Sequence, residues 1–292
     1  MADTAGLAEA RRGAEVLAER LPPLLVAAER VAATVAQGVH GRRRVGIGET
    51  FWQFRSYQPG DSLDMVDWRQ SARSDHVFVR ELEWEAAESV WFWIDRSAQM
   101  TYGSRRGEPP KLERAMVLGL ALAALLVRAG ERVALLGSRA TGGRIALERM
   151  MQGLAEPGHD DGLPPAEPLP RYCRLVLIGD FIRPLPEIEA RVRGFVAGSV
   201  RGHLLQVLDP AEETLPFAGR VLFEGMDGGA RSLISRVEGV RGEYLDRLEA
   251  HRLALSDAAR KAGWSFGTHR TDHPPETALL ALYNALALKE SG

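Results

Sequence analysis

The order of elements along this chain predicts an α/β fold: a mostly parallel sheet with helices on both faces, preceded by N-terminal helices and a small β-rich subdomain. Three observations predict it. Two continuous apolar runs, Val90–Ile94 and Leu175–Ile178, each lead into an acid, Asp95 and Asp180, as buried parallel strands with polar carboxyl ends do. Helical stretches alternate with strand-like runs from Ser89 onward. The 292 residues, 45% apolar and 26% charged, suffice for a large core and a smaller appendage.

Taken in order, Leu7 to Gln37 is rich in Ala, Leu, Glu and Arg, which predicts two short helices broken at Pro22-Pro23 and stopped by Gly38 and Gly41. Residues 1–40 thus form an N-terminal helical segment. Residues 41–88 carry short aromatic and polar stretches, with His76–Leu82 as a strand, and form the β-rich subdomain. Residues 89–292 form the main domain. Its elements begin with strand Val90–Ile94, helix Lys111–Ala129 closed by Gly130, and strands Arg132–Gly137 and Gly143–Leu147. A helix through Met150 and Leu154 runs into a flexible Pro/Gly-rich connector, Glu156–Pro170. Strand Arg174–Asp180, helix Pro186–Ala197 and strand His203–Leu208 follow, the last ending in Asp209. Val221–Phe223 reads as a small edge strand, Arg241–Ala262 as a long amphipathic helix, Trp264–His269 as a strand and Glu276–Leu288 as a final helix.

Composition excludes several classes of function. The formal net charge of −2 provides no overall field toward nucleic acid or anionic lipid, and Arg42-Arg43-Arg44 reads as a solvated loop. The single cysteine, Cys173, excludes an intrachain disulfide and a cysteine-based zinc cluster. The N-terminus lacks the apolar core of a secretory signal, and the longest apolar run, Ala115–Val127, is shorter than the roughly 20 residues that span a bilayer. A cytoplasmic, soluble protein is expected. There is no Gly-x-Ser-x-Gly elbow, P-loop or dinucleotide fingerprint. His159-Asp160-Asp161 and Asp272-His273 read as solvated loops, and Trp91-Phe92-Trp93 as core.

Ligands of open α/β sheets bind at the carboxyl ends of strands, where Asp95 and Asp180 fall. A carboxylate followed two residues later by the Ser97 hydroxyl is a pattern that holds a hard cation directly and through water, and Asp180 supplies a second carboxylate. The cation expected there is Mg²⁺. The alternative is that Asp95 and Ser97 cap the turn that follows, without metal. This arrangement resembles the metal-ion-dependent adhesion site of von Willebrand factor A domains, whose pattern is Asp-x-Ser-x-Ser with a later Thr and Asp. Asp95 and Ser97 match the first two positions and Asp180 the later acid; Gln99 replaces the second Ser, and Thr141 falls in the loop of the Thr.

A second constellation lies upstream. Arg55, Tyr57, Gly60, Asp61, Asp67, Trp68, Ser71, Arg73 and Arg80 combine alternating charges with aromatics around a Pro59-Gly60 turn, which suits an Arg–carboxylate network bracing a poorly cored subdomain. The segment resembles the signature of the bacterial family called domain of unknown function fifty-eight, which runs Arg-x-Tyr-x-x-Gly-Asp, Ile-Asp-Trp, Ser-Ala-Arg, Val-Arg-Glu. Asp64 stands where the family commonly carries Arg.

In that family the signature precedes a von Willebrand factor A-like domain. The resemblance therefore implies a von Willebrand factor A-like (Rossmann-like) fold. It also implies a non-enzymatic protein-interaction module, Mg²⁺-dependent if the strand-tip site is intact. The implied partner is a MoxR-type AAA+ ATPase, in a chaperone-like or maturation role. Two other readings stand beside it: a metal-dependent hydrolase or phosphatase using Asp95 and Asp180, and a metal-free structural module.

Overall fold

The structure, a computed structural model, describes residues 21–36, 50–57, 66, 68–73, 77–83, 88–105, 107–156, 161–226 and 231–287. Two compact units are present: Arg43–Ala87, and Met1–Arg42 together with Glu88–Gly292. Helix α1, residues 21–36, belongs to the larger one. Pro22 and Pro23 lie in the first described turn of α1, and the first of the two expected helices, like Gly38 and Gly41, lies outside the described residues.

In the smaller unit, β1 (Thr50–Ser56) and β2 (Phe78–Glu83) pair antiparallel, with a register shift between Phe51 and Gln53. A single helical turn, α2 (Trp68–Ser71), lies between them in sequence. Ser71 ties that turn to β2, because its Oγ accepts the Phe78 N–H at 2.8 Å.

The larger unit begins with β3 (Ser89–Ile94), followed by α3 (Lys111–Arg128) and β4 (Arg132–Leu135). Next come α4 (Arg144–Ala155), β5 (Arg174–Gly179), α5 (Leu185–Ala197) and β6 (Arg201–Leu208). A short α6 (Pro210–Thr214) leads to β7 (Val221–Glu224) and β8 (Arg231–Ile234), then α7 (Val237–Lys261), β9 (Ser265–Arg270) and α8 (Pro275–Ala287). The sheet order is β4-β3-β5-β6-β9, and every pair in it is parallel. The chain leaves β3 toward β4 and then crosses to β5 on the other side. The topological switch point is therefore the crevice between the carboxyl ends of β3 and β5.

Period-2 alternation in β3 divides the core. Val90, Phe92 and Ile94 join α1 (Ala28, Val31, Ala32), α3, α4 (Ala146, Met150, Leu154) and α8 (Leu279, Leu282). Trp91 and Trp93 turn the other way, toward Ile188, Val192 and Phe195 of α5 and Leu255 and Ala259 of α7. Each Val, Leu, Ile, Phe or Met among them, fully buried, contributes about 1.5–3 kcal/mol. Gly119 lets α3 lie close on the sheet: a Cβ there would stand 2.7 Å from Ile94 Cδ1 and would push that side chain aside.

Three further expectations differ from the structure. Gly143–Leu147 is not a strand: α4 starts at Arg144, because Ala146, Met150 and Leu154 recur every fourth residue and all are buried. Val221–Phe223 does not edge the main sheet but pairs with β8 in a separate two-stranded sheet. The described part of the connector, from Asp161, is irregular but anchored, since Gly162, Leu163 and Pro164 are buried. Among the described residues no helix is long and apolar enough to cross a membrane.

Candidate functional site

Asp95 and Asp180 flank the switch point. The Asp95 N–H continues the ladder by donating to the Ile178 carbonyl at 2.8 Å, and Oδ1 accepts the Ser97 N–H at 2.8 Å, an Asx-type turn. Its side chain lies over Gly179, where a Cβ would stand 2.9 Å from Asp95 Cβ. Asp180 Oδ1 accepts the Ile182 N–H at 3.2 Å, and its carbonyl accepts from Gln206 Nε2 at 2.9 Å. The next residue, Phe181, is left-handed (φ 51°), a conformation that costs a non-glycine residue about 1–3 kcal/mol. His251 Nε2 lies 2.7 Å from the Phe181 carbonyl. A carbonyl only accepts, so the imidazole proton sits on Nε2.

Lys111, at the first position of α3, reaches into this cluster. Its Nζ donates to Asp180 Oδ2 at 3.0 Å and to Glu212 Oε1 at 2.6 Å, and the side chain is 1% exposed. Burial opposes the charge on the ammonium, but Asp180 and Glu212 outweigh burial and hold Lys111 above the usual lysine value. Burial likewise lifts Glu212 above the usual carboxylate range, against the pull of Lys111. Glu212 is itself positioned by a capping box on α6: Oε2 accepts the Asp209 N–H at 2.8 Å, and Asp209 Oδ1 accepts the Ala211 N–H at 2.8 Å. Asp209 Oδ2 also accepts the Ser104 N–H at 2.9 Å, tying the loop before α3 to the end of β6. Arg252 with Glu213, and Arg270 with Asp272 at 2.6 Å, extend the paired charges along the same edge of the sheet.

No sequence motif marks Lys111 or Glu212. The one local signal is that a cation opens α3, where the helix dipole disfavours positive charge, at the head of an apolar helix. A position that breaks a local rule is stabilised by its tertiary partners.

The donors at this edge do not make up a divalent-cation site. One Asp180 oxygen already faces an ammonium and the other a backbone N–H, whereas Mg²⁺ takes about six oxygens at about 2.1 Å. Ser97 Oγ is buried with no hydrogen-bond partner among the described residues. Gln99 is exposed in the 3-10 turn Ala98–Thr101. Thr141 is not brought to the site at all. It bridges Val133, which is level with Val90 near the amino end of the sheet, because the segment turns back antiparallel to β4 instead of reaching across the strand tips. Among the described residues, no group of three or more His, Cys, Asp or Glu side chains is placed to hold a metal.

A cleft of about 710 Å³ lies between the connector and α5, lined by Asp161, Glu167, Arg183, Glu187, Arg191 and Phe195 among others. Asp95, Ser97 and Asp180 do not line it. Asp272 pairs with Arg270 and Asp161 caps the Leu163 N–H at 3.1 Å, while His159 and Asp160 lie outside the described residues.

In the upstream constellation, register places Arg55 opposite Val79 and Arg80 opposite Phe54. The Tyr57 N–H donates to the Val77 carbonyl at 2.8 Å. Ser71 makes the tie to β2 already described. Trp68 is 65% exposed, and Arg69 and Arg73 are exposed beside it. Gly60, Asp61, Asp64 and Asp67 lie outside the described residues, so the bracing network drawn through them does too.

Residues 53–254 match the family described as "Protein of unknown function DUF58". Uncharacterized proteins of Mycobacterium bovis and Mycobacterium tuberculosis are similar to this chain, at 27% identity over 264 residues, covering 82% of this chain and 80% of theirs. The crystal structure of the conserved hypothetical protein BatB from Bacteroides thetaiotaomicron aligns with a TM-score of 0.41 and 13% identity, over 70% of this chain and 100% of that one. With more than half its length matched, the chain belongs to the DUF58 family.

Proposed function

We propose that this protein is a non-enzymatic, cytoplasmic protein-interaction module built on a von Willebrand factor A-like domain. Its partner in this reading is a MoxR-type AAA+ ATPase, in a chaperone-like or maturation role, engaged without a bridging metal ion. The partner comes from the resemblance of the Arg55–Arg80 signature, and the mode of binding from physical observation.

The observation that carries the reading is the exposure of Trp68. An indole left 65% exposed beside exposed Arg69 and Arg73 combines the residue types that most often anchor protein interfaces. The polar groups at the switch point support binding over turnover. One Asp180 oxygen faces the Lys111 ammonium at 3.0 Å and the other accepts the Ile182 N–H at 3.2 Å, so the second carboxylate of a metal-assisted hydrolase is already taken up by internal partners.

The test is binding of the purified chain to a MoxR-type AAA+ ATPase from the same organism, by biolayer interferometry with the ATPase nucleotide-free, in EDTA and in Mg²⁺. Equal affinity in both buffers is expected, with at least a tenfold loss for Trp68→Ala, the size of about 1.4 kcal/mol at a central anchor. Absence of binding in every nucleotide state of the ATPase would remove that partner. Undiminished binding by Trp68→Ala would move the interface elsewhere.

A further inference from the structure

We propose that Lys111 is the resident cation on the Asp180 side of the switch-point site: its ammonium stands between the Asp180 and Glu212 carboxylates, where a divalent ion bound to the same oxygens would sit, so this pair of acids is permanently held by a side chain instead of by metal uptake. This concerns the protein alone and does not depend on which partner it binds.

The geometry supports it in three ways. First, one nitrogen lies 3.0 Å from Asp180 Oδ2 and 2.6 Å from Glu212 Oε1, so carboxylates from the end of β5 and from α6 converge on a single positive centre. A divalent ion bound to the same oxygens would displace that ammonium or stand against its charge. Second, the ammonium is enclosed. With Lys111 at 1% and Asp180 at 2% exposure, it does not swing into solvent to admit an ion without opening the cluster. Third, its placement is fixed from both ends. The Lys111 N–H donates to the Tyr102 carbonyl at 3.1 Å, while the capping box of α6 holds Glu212 in line. Removing the ammonium would leave two carboxylates facing one another, which is the starting material of a hard-cation site.

The experiment titrates Mg²⁺, Mn²⁺ and Ca²⁺ into the metal-free full chain by calorimetry, with thermal melts in parallel. Wild type is expected to give no saturable heat at millimolar cation and no shift in Tm. Lys111→Met keeps the chain length and removes the charge. It is expected to melt lower and to regain Tm as Mn²⁺ or Ca²⁺ is added, as a ligand of the folded state produces. The regain should vanish in Lys111→Met/Asp180→Asn. A Lys111→Met chain that folds only when cation is supplied also supports the assignment. Saturable binding by wild type that Asp95→Ala or Asp180→Asn abolishes overturns it. So does a Lys111→Met chain that takes up no cation, whether it is folded or stays unfolded in both conditions.

Discussion

Lys111 Nζ lies 3.0 Å from Asp180 Oδ2, and the two side chains are 1% and 2% exposed. The pair joins the first turn of α3 to the end of β5, so one contact sets the spacing of a helix and a strand on either side of the switch point. A buried pair of this kind adds little over a well-packed apolar pair, but breaking it from one side leaves an uncompensated charge.

Lys111→Met is therefore expected to lower unfolding stability by about 3–5 kcal/mol in the absence of divalent cations. Adding Asp180→Asn should recover part of that loss. Urea denaturation of the two single variants and the double variant closes the cycle. Strictly additive losses would mean that the 3.0 Å contact carries no coupling.

Two glycines should respond to alanine with opposite sign. At Gly202 a Cβ would lie 2.4 Å from the Trp264 ring, which cannot retreat because its indole N–H is held by the Val200 carbonyl at 3.1 Å. Gly202→Ala should destabilise by about 1–3 kcal/mol through overpacking. Gly194, inside α5, has nothing within 4 Å of its Cβ position, so Gly194→Ala should stabilise by up to about 1 kcal/mol. Chemical denaturation that ranks the two variants in the reverse order would contradict the packing described for the α5–α7 face.

His269, on β9, supplies a pH dependence. Burial, together with the positive charge of Arg114 and His273, pushes its pKa down to about 4. Because the folded value is below the unfolded one, the unfolded chain binds the proton more readily between about pH 4 and the ordinary histidine value near 6.5. The contribution of His269 is thus fully present above that ordinary value, falls as pH drops through the window, and is lost below about 4. The slope integrates to at most about 3 kcal/mol. Measured as stability against pH, His269→Asn should flatten the curve in this window relative to wild type, while leaving the acid loss due to carboxylates in place.

Cys173 should behave as a core residue. It is 6% exposed, and burial pushes its thiol up to about 11, so little thiolate is present at pH 8. Reaction with a thiol reagent should be slow in the native protein and rapid in denaturant. Fast native labelling would mean that the strand start at Cys173 opens locally.

Much of the larger unit was legible in the residues themselves. Strand β3 reads as buried because Val90–Ile94 is apolar on both faces, and β5 reads the same way. The acids that end these strands, Asp95 and Asp180, follow from position alone, since a parallel strand delivers its last residue to the edge where ligands bind. Helix α3 reads as buried because its apolar residues extend almost all round.

What local pattern misread was decided by packing. Ile145 and Leu147 look like strand residues, yet Ala146, Met150 and Leu154 are the positions that meet the core, and that spacing is helical. Thr141 falls in a loop of suitable length, but its pairing with Val133 sends it to the far end of the sheet.

The charge balance of the site was decided only by the tertiary structure. Lys111 stands 69 residues from Asp180 and 101 from Glu212, and no periodicity links positions so far apart. The sequence by itself determined which strands are buried and which acids stand at their ends, because burial and alternation are written in neighbouring residues. Which cation faces Asp180 and Glu212 was settled by how α3 and α6 pack over the strand tips, because a buried carboxylate is satisfied by whatever charge the fold brings within reach.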